Sequence, residues 1–147
     1  MSETLSPGSA TPRAPTGEDL GVRKRILLVD DDAALREVIA LALTSAGYHV
    51  DGVGDGREAL QFLARTNVDL VISDLCMPHI DGIELAMEMR KTRPKVPLIA
   101  ISGGAVGETE SILRAVKLLG AKRTLPKPFA LRELTSAVAE VLAGVPA

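Results

Sequence analysis

The sequence predicts an α/β fold: a doubly wound parallel sheet of five strands in the order 2-1-3-4-5, with helices on both faces. Three observations lead there. Short apolar runs alternate with segments of helical period five times along the chain, the pattern of strand–helix–strand units. The apolar runs are continuous rather than alternating, as in strands covered on both faces. Finally, the 147 residues are 46% hydrophobic and 24% charged, a balance that suits one globular domain. Aromatic residues are only 2%, with no Trp, so the core has to be built from Val, Ile, Leu and Ala.

Residues 1–22 stand apart. They are rich in Ser, Thr, Pro, Gly and Ala with little to bury, and are read as a flexible tail because burial cannot offset their ordering entropy. The domain is expected over residues 23–143, with a short C-terminal end at 144–147. Arg25–Val29 (RILLV) is the first strand. Ala33–Ala46 is a helix with Leu35, Val38, Ile39 and Ala42 at helical spacing, stopped by Gly47. Tyr48–Val53 is a weaker second strand. Gly56–Arg65 is a helix with Ala59, Leu60 and Leu63 on one face. Asp69–Ser73 is the third strand, and Ile83–Lys91 a helix. Pro97–Ile101 is the fourth strand, followed by a helix from about Glu108 to Leu119 that Gly120 closes. Thr124-Leu125 is a short fifth strand, and Ala130–Ala143 the last helix. Right-handed crossovers and the common doubly wound order make strands 1 and 3 neighbours at the switch point, where ligands bind beyond the carboxyl ends of the strands. This is the flavodoxin-like arrangement.

Composition excludes several functions. A net charge of −2 and pI near 5.7 supply no basic field for nucleic acid or an anionic membrane. The single cysteine, Cys76, cannot form an internal disulfide and fits a reducing compartment. No apolar run approaches the ~18–20 residues of a membrane span, and the N-terminus has no charged-then-apolar export pattern. The expectation is a cytoplasmic protein with neither nucleic acid nor membrane as partner.

The polar residues fall where the fold would place a ligand. Asp30, Asp31 and Asp32 follow the first strand, Asp74 the third, Ser102 the fourth and Lys127 the fifth. Taken singly, each has a bland explanation: a solvated turn, or for Asp32 a helix N-cap. Taken together they are harder to dismiss, because clustered carboxylates repel and raise one another's pKa. Lys127 or a divalent cation would compensate, and carboxylates, a backbone carbonyl and water suit Mg²⁺. Mg²⁺, a carboxylate nucleophile, a lysine and a hydroxyl together make a phosphoryl-transfer site.

Four motifs then carry a specific resemblance. Ile26 to Asp32 (ILLVDDD), Asp74 to Pro78 (DLCMP) with Asp81-Gly82, Ile101-Ser102-Gly103, and Lys127-Pro128-Phe129 resemble the receiver domain of bacterial two-component response regulators, over about Arg25 to Leu142. The resemblance implies a phospho-acceptor at Asp74, supplied by a sensor histidine kinase or a histidine phosphotransfer protein. It implies Mg²⁺ held by Asp30, Asp31, Asp74 and the backbone carbonyl of Cys76, with Asp31 a more direct ligand than Asp30. Ser102 would be the switch hydroxyl and Lys127 the phosphoryl-binding cation, with a cis Lys127–Pro128 bond turning the lysine inward. The chain would then be a signalling switch that catalyses only its own phosphorylation and dephosphorylation. It would act on an unidentified effector protein, as a monomer or a weak phosphorylation-dependent homodimer. No output segment follows the last helix, so the reading is a stand-alone receiver or a piece of a longer chain, the start at Met1 favouring the former.

Departures from the family pattern matter as much. The family usually carries Phe or Tyr three residues before the lysine; here the position is Thr124. Pro126 removes a strand N–H, so the fifth strand should end there or leave that edge unpaired. Gly103-Gly104 is read as a mobile loop beside the phosphoryl group. Cys76 is read as contributing only its carbonyl, and His79 and His49 as a loop residue and a strand residue. Met77, Met87 and Met89 are read as packing. Two other functions stay open: a receiver-like binding module that works without phosphorylation, and a Mg²⁺-dependent aspartyl phosphatase of the haloacid type. The second is disfavoured by Ala33-Ala34 after Asp32 and by the lack of a cap segment. An FMN binder is disfavoured because acids follow the first strand.

Overall fold

The computed structural model describes residues 23–75, 82–102, 114–115 and 117–144. Its five strands are β1 (Arg25–Val29), β2 (His49–Val53), β3 (Leu70–Asp74), β4 (Leu98–Ser102) and β5 (Arg123–Pro126). They form one sheet in the order β2-β1-β3-β4-β5, and every pair is parallel. This is the predicted topology. Among the described residues four helices have full bounds: α1 (Ala33–Ser45), α2 (Gly56–Arg65), α3 (Gly82–Thr92) and α4 (Leu131–Leu142). The helix expected from Glu108 to Leu119 lies largely outside the described residues, although Arg114, Ala115, Lys117 and Leu118 are helical.

Continuous apolar strands make two cores, one on each face of the sheet. Successive strand residues point to opposite faces. Leu27, Val29, Val71, Leu98 and Ala100 pack with Ala59 and Leu63 of α2 and Leu85, Ala86 and Met89 of α3. Ile26, Leu28, Leu70, Ile72, Ile99 and Ile101 pack with Ile39 and Leu43 of α1 and Leu134, Ala137, Val138 and Val141 of α4. β1, β3 and β4 thus have both faces covered, apart from the partly buried Arg25 at the start of β1.

Several expectations shift by a residue or a face. β3 runs to Asp74 and β4 to Ser102, so both residues end their strands rather than follow them. Val38, expected on the inner face of its helix, is 46% exposed. The buried stripe of α1 is Ile39 and Leu43, which stand one turn apart. β5 is an outer strand ending at Pro126, where a missing N–H is tolerated. His49 is exposed on the other outer strand, 3.4 Å from Asp51. Met89 is core, whereas Met87 is 49% exposed. The expectations for the 1–22 tail, Cys76, Met77, His79 and Gly103-Gly104 lie outside the described residues.

Candidate functional site

Parallel strands bring their carboxyl ends to one edge, and there the predicted residues meet. β1 pairs with β3 and β3 with β4, so Asp30, Asp74 and Ser102 emerge side by side. Lys127 arrives just beyond β5, and its N–H donates to the Ser102 carbonyl at 2.6 Å. The Lys127–Pro128 bond is cis, as the resemblance implies.

The acids take different parts. Asp32 caps α1: its Oδ1 accepts from the Leu35 N–H at 3.1 Å, as its position before the helix predicts. Asp30 is fully buried. Its N–H donates to the Val53 carbonyl at 3.1 Å, and its Oδ1 accepts from the Asp32 N–H at 2.9 Å. Its Oδ2 is buried without a hydrogen-bond partner among the described residues. Asp31 is exposed, and Asp74 is 3% exposed. One carboxylate oxygen from each of Asp30, Asp31 and Asp74 lies within 4.8 Å of the other two. Lys127 Nζ donates to Asp74 Oδ2 at 3.0 Å.

Three carboxylates against one ammonium leave the site short of positive charge. Burial pushes the Asp30 carboxyl above the ordinary aspartate range; the Asp32 N–H opposes this, and the Asp74 charge adds to it. Burial works against the charged form of Lys127, but the hydrogen bond and charge of Asp74, with the charges of Asp30 and Asp32, hold its pKa above the ordinary lysine value. Both directions mark a pocket that favours added positive charge. Its donor set is all oxygen, which suits a hard divalent cation. The unpartnered Asp30 Oδ2 is the atom such a cation would satisfy.

Ser102 is 1% exposed and its Oγ has no partner among the described residues. A buried hydroxyl left in this state is costly and is available to an incoming oxygen. Thr124, the departed aromatic position, lies half-buried on β5 beside Ala100.

Two residues of the site were not singled out from the sequence. Gly82, quoted only as part of a motif, opens α3 tight against the end of β3. A Cβ there would lie 2.7 Å from Leu75 Cα and 2.9 Å from the Asp74 carbonyl, so any side chain displaces the backbone carrying Asp74. Arg36 was not considered. Its Nη1 donates to the Asp30 carbonyl at 2.6 Å. The available signal was position: a helical side chain lies over the preceding turn, and one turn before Arg36 is the acid run.

Comparison with known proteins agrees with this geometry. Residues 26–139 match the response regulator receiver domain. The chain belongs to that family. A receiver domain is a signalling switch of two-component systems. Among curated relatives, response regulator MprA of Mycolicibacterium vanbaalenii is 40% identical over 119 residues, which cover 80% of this chain and 50% of the relative. MprA of Mycobacterium leprae matches to the same extent. The receiver therefore spans about half the length of the curated relatives it matches. Among solved structures, a CheY-like receiver domain protein of Methanospirillum hungatei superposes with a TM-score of 0.74 at 31% identity, covering 83% of this chain and 95% of the other. Response regulator TrrA of Thermotoga maritima, solved in complex with Mg²⁺ and BeF, has a TM-score of 0.70 at 34% identity, covering 80% and 98%. No helix among the described residues is long and apolar enough to cross a membrane.

Proposed function

We propose that this receiver accepts a phosphoryl group on Asp74 from the phosphohistidine of a sensor histidine kinase or a histidine phosphotransfer protein, and so switches its contacts with an effector protein. The observation that carries this reading is the placement of Asp74 at the centre of the carboxyl edge. Its Oδ2 accepts from Lys127 at 3.0 Å, and it shares a 4.8 Å cluster with Asp30 and Asp31. In the transfer an Asp74 oxygen attacks phosphorus, and the donor's imidazole nitrogen leaves with the P–N bond electrons. Lys127 starts paired to the nucleophile and turns to a phosphoryl oxygen, so charge is compensated on both sides of the step. Ser102 donates its unpartnered hydroxyl to another phosphoryl oxygen.

Asp30, Asp31 and Asp74 are the side chains that would hold Mg²⁺, with the Cys76 carbonyl as the further protein ligand. When bound, Mg²⁺ supplies positive charge to neutralise the phosphoryl oxygens. Asp31, the exposed member, faces solvent, while Asp30 is fixed from behind by its backbone and Oδ1 contacts. The domain is assigned to residues 23–143. Thr124 cannot act as the family's aromatic does, so the switch is assigned to the segment that follows Ser102.

The test is incubation with acetyl phosphate and Mg²⁺, followed by intact mass. One adduct of about 80 Da is expected, formed by the carboxylate route, absent in Asp74→Asn and suppressed by EDTA. A full-strength adduct in Asp74→Asn overturns the assignment. Binding to an effector with equal affinity before and after modification would instead favour the receiver-like module that works without phosphorylation.

A further inference from the structure

We infer that Arg36 is a positioning residue for the metal-binding acid Asp30, held in place by the absence of a side chain at Gly52. The inference rests on the Mg²⁺ reading above and adds to it a residue outside the ligand set. Every hydrogen-bonding group of Asp30 except one is engaged by the chain. The N–H goes to the Val53 carbonyl, Oδ1 takes the Asp32 N–H, and the carbonyl takes the Arg36 guanidinium at 2.6 Å. What remains is Oδ2, buried and without a partner among the described residues. Three fixed contacts leave the peptide little freedom, and so they set where Oδ2 points.

Arg36 reaches this carbonyl from α1 by crossing the outer strand β2. Its stem lies over Gly52, where a Cβ would sit 3.1 Å from Arg36 Cδ and 3.2 Å from Cγ. Gly52 pairs with Leu28 in the sheet, so the strand itself sets its distance from β1. The guanidinium also borders Gly54, 3.7 Å from the point where that residue's Cβ would be. The N–H of Gly54 donates to Glu58 at 2.7 Å. Gly52 thus leaves room for one long side chain, and its end is hydrogen-bonded to the backbone of a buried acid. A planar, always-charged donor suits this use better than a flexible ammonium.

Charge and position predict opposite signs, which makes the inference testable. If Arg36 acted only through its charge, removing it would make the acid cluster more negative and tighten Mg²⁺ binding. If it positions Asp30, removing it loosens the ligand and weakens binding. Outer partners of metal ligands typically change affinity by 10–100-fold.

The experiment measures Mg²⁺ affinity by thermal shift and by amide NMR titration of the full chain: wild type, Arg36→Met, Arg36→Lys and Gly52→Ala. Arg36→Met keeps the stem over Gly52 and deletes the donor. It is expected to bind Mg²⁺ about tenfold more weakly, with shifted Asp30, Asp31 and Asp32 amide resonances in EDTA. Arg36→Lys should fall between it and wild type. Gly52→Ala, which leaves Arg36 in place and pushes on its stem, should weaken Mg²⁺ binding in the same direction and by less than Arg36→Met; unchanged or tighter binding in it overturns the positioning role if Arg36→Met does not fold. Acetyl phosphate labelling should need correspondingly more Mg²⁺ while its rate at saturating Mg²⁺ stays near wild type. Equal or tighter Mg²⁺ binding in Arg36→Met overturns the positioning role and leaves the metal reading intact. A wild-type chain indifferent to Mg²⁺ overturns the metal reading and this inference with it.

Discussion

Replacing Asp30 by Asn should stabilise the metal-free receiver. The Asp30 carboxylate is fully buried, and one of its oxygens has no partner among the described residues. In the substitution Oδ1 stays an acceptor for the Asp32 N–H, while Nδ2 takes the place of Oδ2 as a donor. The Asp30 side chain belongs to a cluster in which one oxygen each of Asp31 and Asp74 lies within 4.8 Å of one of its own, so an amide there replaces a charge that those carboxylates repel. An unsatisfied buried polar group costs about 1–3 kcal/mol. Because the Asp32 N–H and the Lys127 charge already offset part of this, the lower end applies, about 1 kcal/mol, or about 4 °C in melting temperature for a domain of this size. The effect depends on pH. The folded pKa of Asp30 is raised by burial, so relative to the neutral acid the charged form costs stability. That loss is absent below the ordinary aspartate pKa and develops as pH rises through the higher folded value. The variant's advantage should therefore vanish in acid and grow as pH rises through the higher folded value. Differential scanning calorimetry in EDTA across that range is the assay. Mg²⁺ should reverse the ranking, since a ligand at ~100 times its dissociation constant adds about 2.7 kcal/mol and Asn is the poorer ligand. A destabilised Asp30→Asn at neutral pH in EDTA would refute the reasoning.

Three further outcomes are expected. Lys127→Ala removes the 3.0 Å partner of a carboxylate that is nearly buried and should cost about 1–2 kcal/mol, less than a fully buried pair because the lysine is part-exposed. In wild type this contribution should hold below the ordinary lysine pKa and fade as pH rises through the higher folded value, which melting curves against pH will show. Gly82→Ala should destabilise by about 1–3 kcal/mol in urea unfolding through overpacking against Leu75 and Asp74, although alanine is ordinarily the better helix former. Ser102→Ala should be neutral or stabilising by up to about 1 kcal/mol in the unphosphorylated receiver, because it removes a buried hydroxyl without a partner among the described residues. The same variant should shorten the lifetime of the phosphorylated form, measured by the decay of the mass adduct.

The parts of this fold that repeat a simple period were legible in the sequence. Continuous apolar runs marked β1, β3 and β4, and the strand order then put Asp30, Asp74, Ser102 and Lys127 on one edge before any side-chain contact was known. Asp32 as an N-cap followed from its place before an apolar-periodic segment. What the pattern could not resolve were contacts between elements distant in sequence. Val38 has the right spacing for the inner face, but α1 sits with Ile39 and Leu43 against the sheet, and a shift of one position turns a side chain by 100°. Gly82 stood only as part of a motif, because only the packed backbone reveals that α3 starts in contact with Leu75. Arg36 drew no reading from the sequence, since its target is a carbonyl and carbonyls carry no sequence signal. The division among three neighbouring aspartates, one cap, one buried and one exposed, likewise depends on where each oxygen points.

The most direct test of the central claim is to locate the phosphoryl group chemically. The receiver is incubated with a phosphorylated histidine kinase or phosphotransfer protein, and any acyl phosphate formed is reduced with borohydride, which converts the modified aspartate to homoserine. Peptide sequencing by mass spectrometry then reads the position. Homoserine at 74 alone, and none in Asp74→Asn, is the predicted result. Homoserine at 30 or 31, or none at any aspartate in a protein that has taken up phosphate, would contradict it.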